Sequence, residues 1–448
     1  MKNGSPSDRT VIALDPVRRA PAQSVRRPES DAGSAPRVEA MNWPFHQGDL
    51  RYLPLGVFLF SLPFSHTVAL RLISLFAAVL IVLADSARGR QPSQIPLRLP
   101  LALWGAMALL SLAWAVRPTY SLREIVNEIG YPVVAFLVCY AMAASERAWR
   151  FSGGVLVASF LAISVVGLYW FGNGFDQFTD APNGSGGHYS TYLVTVLPLL
   201  MVVSVDSAQR RFPASALGPL LLLLLLLDGY GAGNRAFWSA VILSILTFAR
   251  LYALRAPPSR VKVRVLSLAA IMVVLATVGL VATVHQRAAT GTPDRESAVG
   301  RLPDHMDLLS DDARLPLWAH AVTLIEERPL TGGGFGRGAY GKELTEHFAN
   351  DLLWHGHNLF LNYALQMGIG GVLVLVVLLG ALAREFWRLY RADNTTVSLI
   401  GLAGIAMLVG FLAKNMTDDF FVRQNSLMFW SVIGLTLGFG HGQTGKRP

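Results

Sequence analysis

Long apolar stretches separated by short polar segments run from about residue 52 to the end of the chain. Because a transmembrane helix needs about 20 mainly apolar residues, this pattern predicts about twelve spans. We expect them near residues 52–65, 67–84, 99–116, 128–145, 151–171, 189–204, 213–228, 236–254, 265–284, 358–383, 397–413 and 424–440. The first is short and broken by proline, so it is expected to tilt or to form a re-entrant pair with the second.

One polar segment, residues 286–356, is too long to be a simple connection between spans. Loops of this length usually carry function or are disordered. Asp311 or Asp312 is expected to cap a helix through ARLPLWAHAVTLIEE, and Pro329 to end it. Its apolar face is predicted at Leu315, Trp318, Val322 and Ile325. The stretch TGGGFGRG that follows lacks the Lys-Ser/Thr of a phosphate loop and is predicted to be a flexible turn.

Composition and charge distribution support a membrane protein. Hydrophobic residues make up 52% of the chain and charged residues only 15%, which is too little charge for a soluble surface. The net charge of +9 could suggest nucleic acid, but the Lys and Arg residues cluster in alternate loops, as they do on the cytoplasmic side of membrane proteins. We therefore expect no nucleic-acid partner, both termini in the cytoplasm, and residues 286–356 outside. The single cysteine, Cys139, excludes an intramolecular disulfide and a Cys-based metal site.

These patterns predict five segments along the chain. Residues 1–48 are expected to form a disordered basic cytoplasmic tail, because they are rich in Arg, Pro and Ser and have no apolar core. Residues 49–285 are expected to form spans one to nine, and 286–356 an external loop with a helical cap. Residues 357–441 are expected to form spans ten to twelve, and 442–448 a cytoplasmic tail.

Basic residues are scarce on the outer side of membrane proteins, and three of those predicted there stand out. They are Arg235 at the start of a span, Arg314 at the start of the cap helix, and His357 where the cap returns to the membrane. Each alone is typical of an interfacial anchor, a solvated helix residue or a polar helix start. Together they suggest a site: arginine binds phosphate oxygens in pairs, and histidine accepts a proton near neutral pH. Such a trio could hold a diphosphate and activate a hydroxyl.

Other motifs are weaker. His355 and His357 could ligate a metal with Asp351, Asp418 or Asp419, but a His-x-His pair is a weak signal and we expect no metal. Ser185 and Ser190 lie near His188 without the context of a nucleophile elbow, which argues against a serine hydrolase.

Three motifs in order resemble those of the O-antigen ligases. The stretch HNLFLNYALQMGIGG, from His357, is similar to the His-Asn-x9-Gly-x-x-Gly pattern of that family. The stretch GNRAFWSA resembles its Ser/Asn-Arg-Gly/Ala motif, with Asn-Arg-Ala in place of the commoner Ser-Arg-Gly. The segment ARLPLWAHAVTLIEERPLTGGGFG resembles its Arg-x-x-x-Trp…Pro-Leu-x-Gly-x-Gly block. In topology the resemblance covers about residues 50 to 440.

The resemblance implies an all-α glycosyltransferase of the GT-C type in the bacterial inner membrane, with its cap and active site in the periplasm. The donor would be an O-antigen glycan on undecaprenyl diphosphate, and the acceptor a sugar hydroxyl of lipid A-core. His357 would be the essential histidine, and Arg235 and Arg314 would bind the diphosphate. The other substrate-binding residues expected are Arg301, His355, Asn358, His188, Tyr189 and Asp418. Asp418 or its neighbour Asp419 falls where the family often has an acidic residue, and His355 adds a second imidazole that the motif does not require.

The mechanism expected is a one-step, inverting displacement without a metal or other cofactor. An O-antigen polymerase and a protein O-oligosaccharyltransferase use the same kind of donor, and the residues distinguish them poorly. A transporter would need ionisable residues near mid-membrane, whereas stretches such as LSLAAIMVVLATVGLVATV have none. The oligomeric state is open.

Overall fold

The structure, a computed structural model, describes residues 47–89, 95–173, 182, 184–290, 314–351 and 353–445. The chain divides into Met1–Gln47 and Gly48–Pro448, and the α-helices below all belong to the second unit. In the described residues the architecture is all-helical, as the sequence predicts. The α-helices are α1 Leu53–Ser61, α2 Val68–Ala87, α3 Arg98–Leu110, α4 Pro118–Ile125, α5 Tyr131–Met142, α6 Glu146–Gly172, α7 Gly186–Ser207, α8 Leu217–Gly231, α9 Arg235–Arg255, α10 Arg260–Thr290, α11 Arg314–Glu327, α12 Gly341–Phe348, α13 Leu359–Tyr390, α14 Thr395–Asn415 and α15 Arg423–Thr444.

In the part of the chain that the structure describes, nine helices are long and apolar enough to cross a membrane. The other three predicted spans correspond to two shorter apolar helices, Leu50–Ser61 and Arg98–Trp114, and to α15. Large apolar side chains point outward from α2 and α10, among them Ile73, Phe76, Val274 and Val278. Such a surface suits contact with lipid and supports a polytopic membrane protein.

Asparagine and serine side chains begin several of these helices. Asn234, Asn358 and Asn394 each accept a backbone N–H of the first turn of α9, α13 and α14, and Ser145 does so for α6. These residues satisfy donors that a helix leaves without an internal partner. Two of the caps, Asn234 and Asn358, also set the position of the site described below.

A glycine ladder brings α15 against α5. Gly434, Gly438 and Gly442 follow one another at intervals of four on the same face of α15. A Cβ at Gly438 would lie 2.3 Å from the carbonyl oxygen of Tyr140 in α5, so only glycine allows this approach. Small residues at this spacing are a common way for membrane helices to pack backbone to backbone.

Helix α13 is broken at Met367 and Gly368, and the glycine-rich segment after α11 fills the break. A regular helix would bond the Ile369 N–H to the Leu365 carbonyl. Here Ile369 donates to the Pro329 carbonyl at 2.8 Å, and the Leu365 and Gln366 carbonyls accept from Gly333 and Gly334 at 2.8 and 2.9 Å. The exchange satisfies backbone groups at a buried position, where unpaired polar groups are costly.

The predicted span 358–383 is interrupted here, because Gly368 has a φ of +63°. One expectation from the sequence is wrong at this break. The stretch TGGGFGRG was expected to be a flexible turn, but residues 332–336 are buried and hydrogen-bonded to α13. Neither pattern shows, by itself, that the two segments meet.

Replacing Gly368 with alanine is expected to destabilise the fold strongly. Its backbone conformation favours glycine, and a Cβ would lie 2.5 Å from both the Leu330 carbonyl carbon and the Pro329 oxygen. Backbone strain alone costs about 1–3 kcal/mol. Thermal unfolding of the purified protein in detergent measures the effect. Gly380→Ala is the matched control, because its added Cβ on the same helix meets nothing within 4 Å. Equal melting temperatures for the two variants would contradict the prediction.

Helices α11 and α12 form a small cap with its own apolar core over the broken part of α13. Leu317, Ala321 and Leu324 of α11 are buried against Leu344 and Phe348 of α12. The predicted apolar face was therefore displaced by about one residue, since Leu315 and Val322 are exposed. Trp318 still contributes, because its indole N–H donates to the Gly356 carbonyl at 2.8 Å. The predicted capping residues, Asp311 and Asp312, lie outside the described residues.

Candidate active site

Polar residues gather where the starts of α7, α9, α13 and α15 meet the end of α14, beneath the cap. Asn234 before α9 bonds to Asp418 in the loop between α14 and α15. His188 in α7 bonds to Asn425 in α15. The same region contains His357 immediately before the cap residue of α13. Several segments that are far apart in the sequence thus contribute side chains to one site.

His357 is held in an unusual backbone conformation. Its φ is +45°, in the left-handed region that residues other than glycine rarely adopt, and the residue is 7% exposed. The Asn358 amide fixes this conformation: its oxygen accepts from Phe360 and Leu361, and its nitrogen donates to the Met416 carbonyl at 2.8 Å. Strained residues of this kind persist where the surrounding structure determines them, and they concentrate at functional sites.

His355 supports His357 and is held neutral. The two rings stack with centroids 3.9 Å apart, and the His357 N–H donates to Nδ1 of His355 at 3.1 Å. An Nδ1 that accepts a hydrogen bond carries no proton. Burial, with His357 and Arg337 nearby, lowers the pKa of His355 well below its ordinary value. A neutral His355 adds no positive charge beside His357, so the stack does not repel a proton from that neighbour.

Asp418 lies at the centre of the charged groups. Its Oδ2 accepts from Lys414 Nζ and from the Asn234 amide, both at 2.8 Å, and its Oδ1 lies 3.8 Å from Nδ1 of His357. Burial would raise the pKa of this carboxyl, but Lys414, His357 and Arg314 hold it well below its ordinary value. Asp418 therefore stays ionised. A carboxylate beside Nδ1 favours the tautomer whose Nε2 can take a proton, and it stabilises the imidazolium that results.

Asp419 connects the histidines to the glycine-rich segment. Its Oδ2 accepts from the Asn362 amide, whose oxygen accepts from the Gly356 N–H at 2.7 Å. The Asp419 carbonyl accepts from the guanidinium of Arg337. Asn362 thus joins Asp419 to the backbone between His355 and His357, and Arg337 binds Asp419 from the glycine-rich segment.

Two of the three predicted arginines, Arg314 and Arg235, begin helices that border this region. Arg314, at the start of the cap helix α11, interacts electrostatically with Asp418, Lys414 and His355. Arg235 is the first residue of α9, directly after the Asn234 that bonds to Asp418. Arg301 lies outside the described residues. The geometry thus brings Arg314, Asp418, His355 and His357 together, with the start of α9 beside them.

The remaining predicted residues, His188, Asn358 and Tyr189, lie in three different surroundings. His188 packs edge-on against Phe420, with ring centroids 4.8 Å apart, close to Asp418. The Asn358 side chain donates to the Met416 carbonyl and accepts from the Phe360 N–H. Tyr189 lies in another cluster, where its hydroxyl faces Asp228 and Ser164.

Three residues of this site were missed in the sequence: Lys414, Asn362 and Arg337. Lys414 and Asp418 stand four apart at the end of a span, and this opposite-charge spacing could have indicated a pair. Arg337 is a basic residue on the predicted outer side, the same signal that singled out Arg235 and Arg314. Asn362 has no comparable signal. Among the described residues, no group of three or more His, Cys, Asp or Glu side chains is arranged to hold a metal.

Because His355 is neutral in the fold, acid is expected to destabilise the protein through it. An unfolded histidine binds a proton near pH 6.5, whereas folded His355 binds one only at much lower pH. The unfolded state thus gains protons first as the pH falls below about 6.5, and stability is lost. Melting temperatures between pH 8 and pH 5 should fall less for His355→Asn than for the wild type. His66→Asn, at an exposed histidine, should keep the wild-type pH dependence; an unchanged slope in His355→Asn would contradict the prediction.

A family model described as O-antigen ligase matches residues 220–376. The matched segment contains Arg235, Arg314 and His357. No curated protein matches this chain. The family match supports the resemblance found in the three motifs, and with the apolar helices it supports a multi-pass membrane protein with a role in O-antigen handling.

Proposed function

On the premise of the O-antigen ligase family, we propose that this protein transfers an O-antigen glycan from undecaprenyl diphosphate to a sugar hydroxyl of lipid A-core. Transfer takes place on the periplasmic face of the inner membrane, on a GT-C-type scaffold, with both termini in the cytoplasm. The observation that carries the proposal is His357, held at the start of α13 with Asp418 at its Nδ1, inside the segment that the family model matches.

In the proposed reaction, Nε2 of His357 takes the proton from the acceptor hydroxyl. The acceptor oxygen attacks the anomeric carbon of the donor sugar and forms the new glycosidic bond. The bond from that carbon to the diphosphate oxygen breaks, and undecaprenyl diphosphate leaves with the electron pair. A single displacement inverts the anomeric configuration. Asp418 stabilises the imidazolium formed on His357, as a carboxylate does beside a catalytic histidine elsewhere.

Arg235 and Arg314 are the proposed partners of the diphosphate. Negative charge grows on the leaving oxygen, and guanidinium groups placed in advance stabilise it without reorganisation. Arg314 already acts on Asp418 and Lys414 in the site. Two arginines can neutralise a diphosphate as a divalent metal does in other enzymes, so the proposed reaction needs no metal.

A reconstituted assay with three acceptors tests the proposal. Purified protein in liposomes receives the lipid-linked O-antigen together with lipid A-core, with a second lipid-linked glycan, or with a serine-rich protein acceptor. The expected product is lipid A-core that carries the glycan. Product only on the lipid carrier would identify a polymerase, and product only on protein a protein O-oligosaccharyltransferase. Transport of the donor without a new glycosidic bond would assign the protein to another class.

A further inference from the structure

A polar cavity adjoins the histidine cluster. It encloses about 310 Å³ between α4, the start of α12 and the start of α15. Trp354 forms part of its wall and packs edge-on against His355, with ring centroids 4.5 Å apart. His355 in turn stacks on His357. Two ring contacts therefore separate the cavity wall from the candidate base.

The charges around the cavity are mixed, with an excess of positive groups. Four cationic side chains line it, and they are Arg117, Arg337, Lys342 and Arg423. Two carboxyl groups face them, those of Glu124 and Glu128, which are 4% and 6% exposed. A ligand that binds both kinds of group carries negative charge for the cationic side chains. It also has hydroxyl groups that donate to the two carboxyl groups.

Aromatic faces complete the lining. The guanidinium of Arg337 lies over the Trp354 ring at 4.9 Å, and that of Arg117 over the Tyr120 ring at 5.1 Å. The Tyr120 hydroxyl accepts from the Gly338 N–H at 2.9 Å, which leaves its own proton to donate. Apolar rings beside a few directed polar groups are the usual composition of a small-molecule site.

A local distortion presents Glu128 to the cavity. Residues Val126–Gly130 form a π-helical turn between α4 and α5. Pro132 explains the turn, because proline has no N–H to donate to the Glu128 carbonyl four residues earlier. Isolated π turns are rare and frequently occur at functional sites. Glu124 in α4 and Glu128 in this turn stand four residues apart, and both line the cavity.

We propose that this cavity binds a negatively charged sugar unit of the acceptor glycan. Arg337, Arg423 and their cationic neighbours bind its phosphate or carboxylate, Glu124 and Glu128 accept from its hydroxyls, and Trp354 packs against its ring. The cavity is a separate subsite from the diphosphate arginines, since neither Arg235 nor Arg314 lines it. The inference rests on the proposed transfer, and it explains how an acceptor is held while another of its hydroxyls reaches His357.

Arg423→Gln tests the subsite with little risk to folding, because Arg423 is exposed to the cavity mouth. Initial rates are measured in liposomes against acceptor and donor concentration in turn. Loss of one charge-assisted hydrogen bond should raise the KM for lipid A-core about tenfold, with kcat and the donor KM unchanged. Arg123→Gln is the matched control, since Arg123 is exposed on α4 but does not line the cavity. Glu128→Gln, tested in the same way, should also raise the acceptor KM.

Kinetics with dephosphorylated lipid A-core test whether Arg423 recognises a phosphate group of the acceptor. With it, the wild type and Arg423→Gln should have the same KM if the arginine recognises a phosphate; a persisting difference assigns Arg423 to a carboxylate of the same acceptor. A rise in the donor KM instead would place the donor glycan in the cavity and overturn the proposal. Unchanged acceptor KM values in both variants would overturn it as well.

A binding measurement tests the subsite independently of the proposed reaction. The affinity of the detergent-purified protein for lipid A-core is measured without a donor. If the wild type binds lipid A-core and Arg423→Gln binds it about tenfold more weakly, the subsite stands even where no glycan is transferred. If ligation proceeds but the variants bind and react as the wild type does, the reaction stands and the subsite is wrong.

Discussion

Replacing His357 with alanine is expected to reduce glycan transfer to lipid A-core by about 100- to 10,000-fold, the usual contribution of a general base. Alanine cannot take the hydroxyl proton, and the Asp418 carboxylate is too weak a base to replace the imidazole, because Lys414 and Arg314 hold its pKa well below the ordinary value. The measurement is the amount of glycan-capped lipopolysaccharide made by cells that lack their own ligase and express the variant.

The controls for His357→Ala separate chemistry from folding. His66→Ala removes an exposed histidine that is not part of the hydrogen-bond network of Asp418, and it should leave transfer unchanged. Equal amounts of both variants in the membrane exclude loss of the protein as the cause. Capped lipopolysaccharide at wild-type levels from His357→Ala would show that another group, or none, acts as the base.

Replacing Asp418 with alanine is expected to destabilise the protein by about 3–5 kcal/mol and to abolish transfer, because a buried cation is left without its partner. The Lys414 ammonium is 0% exposed and lies 2.8 Å from the Asp418 carboxylate. The Asn234 cap of α9 loses its acceptor at the same time. Thermal unfolding in detergent and the transfer assay together measure both effects.

A double variant distinguishes the structural role of Asp418 from its role at His357. Lys414→Met combined with Asp418→Asn removes both charges, and stability should recover most of what Asp418→Ala loses. Transfer should remain low, because no carboxylate faces the imidazole. Full activity in the double variant would mean that Asp418 serves only to neutralise Lys414.

The spans could be predicted because their signal is local. Apolar length alone indicated helices such as α6, α9 and α14, and the observed bounds differ from the predicted ones mainly at the ends. Helix ends depend on caps and on contacts with other segments, which a window of hydropathy does not contain. Thus α4 begins at Pro118, ten residues before the span predicted at 128–145.

The site was predictable only in part. Arg235, Arg314 and His357 stood out as basic groups on the predicted outer side, and the structure brings Arg314 and His357 to one carboxylate, Asp418. Their catalytic roles stay predictions. Arg337 was overlooked because the glycines around it suggested a loose turn. The predicted substrate role of Tyr189, whose hydroxyl faces Asp228, also stays a prediction.

The sequence by itself determined a polytopic helical membrane protein, the approximate positions of its spans, a helix in the long polar segment, and the resemblance to the O-antigen ligases. These properties follow from periodicity, apolar length and motifs, which are contained in neighbouring residues. Only the tertiary structure decided that residues 332–336 fill a break at Gly368, that Asp418 joins His357 to a buried Lys414, and that Trp354 lies between the histidines and a charged cavity. These are contacts between segments distant in the chain, and they depend on which helix ends meet once the bundle is packed.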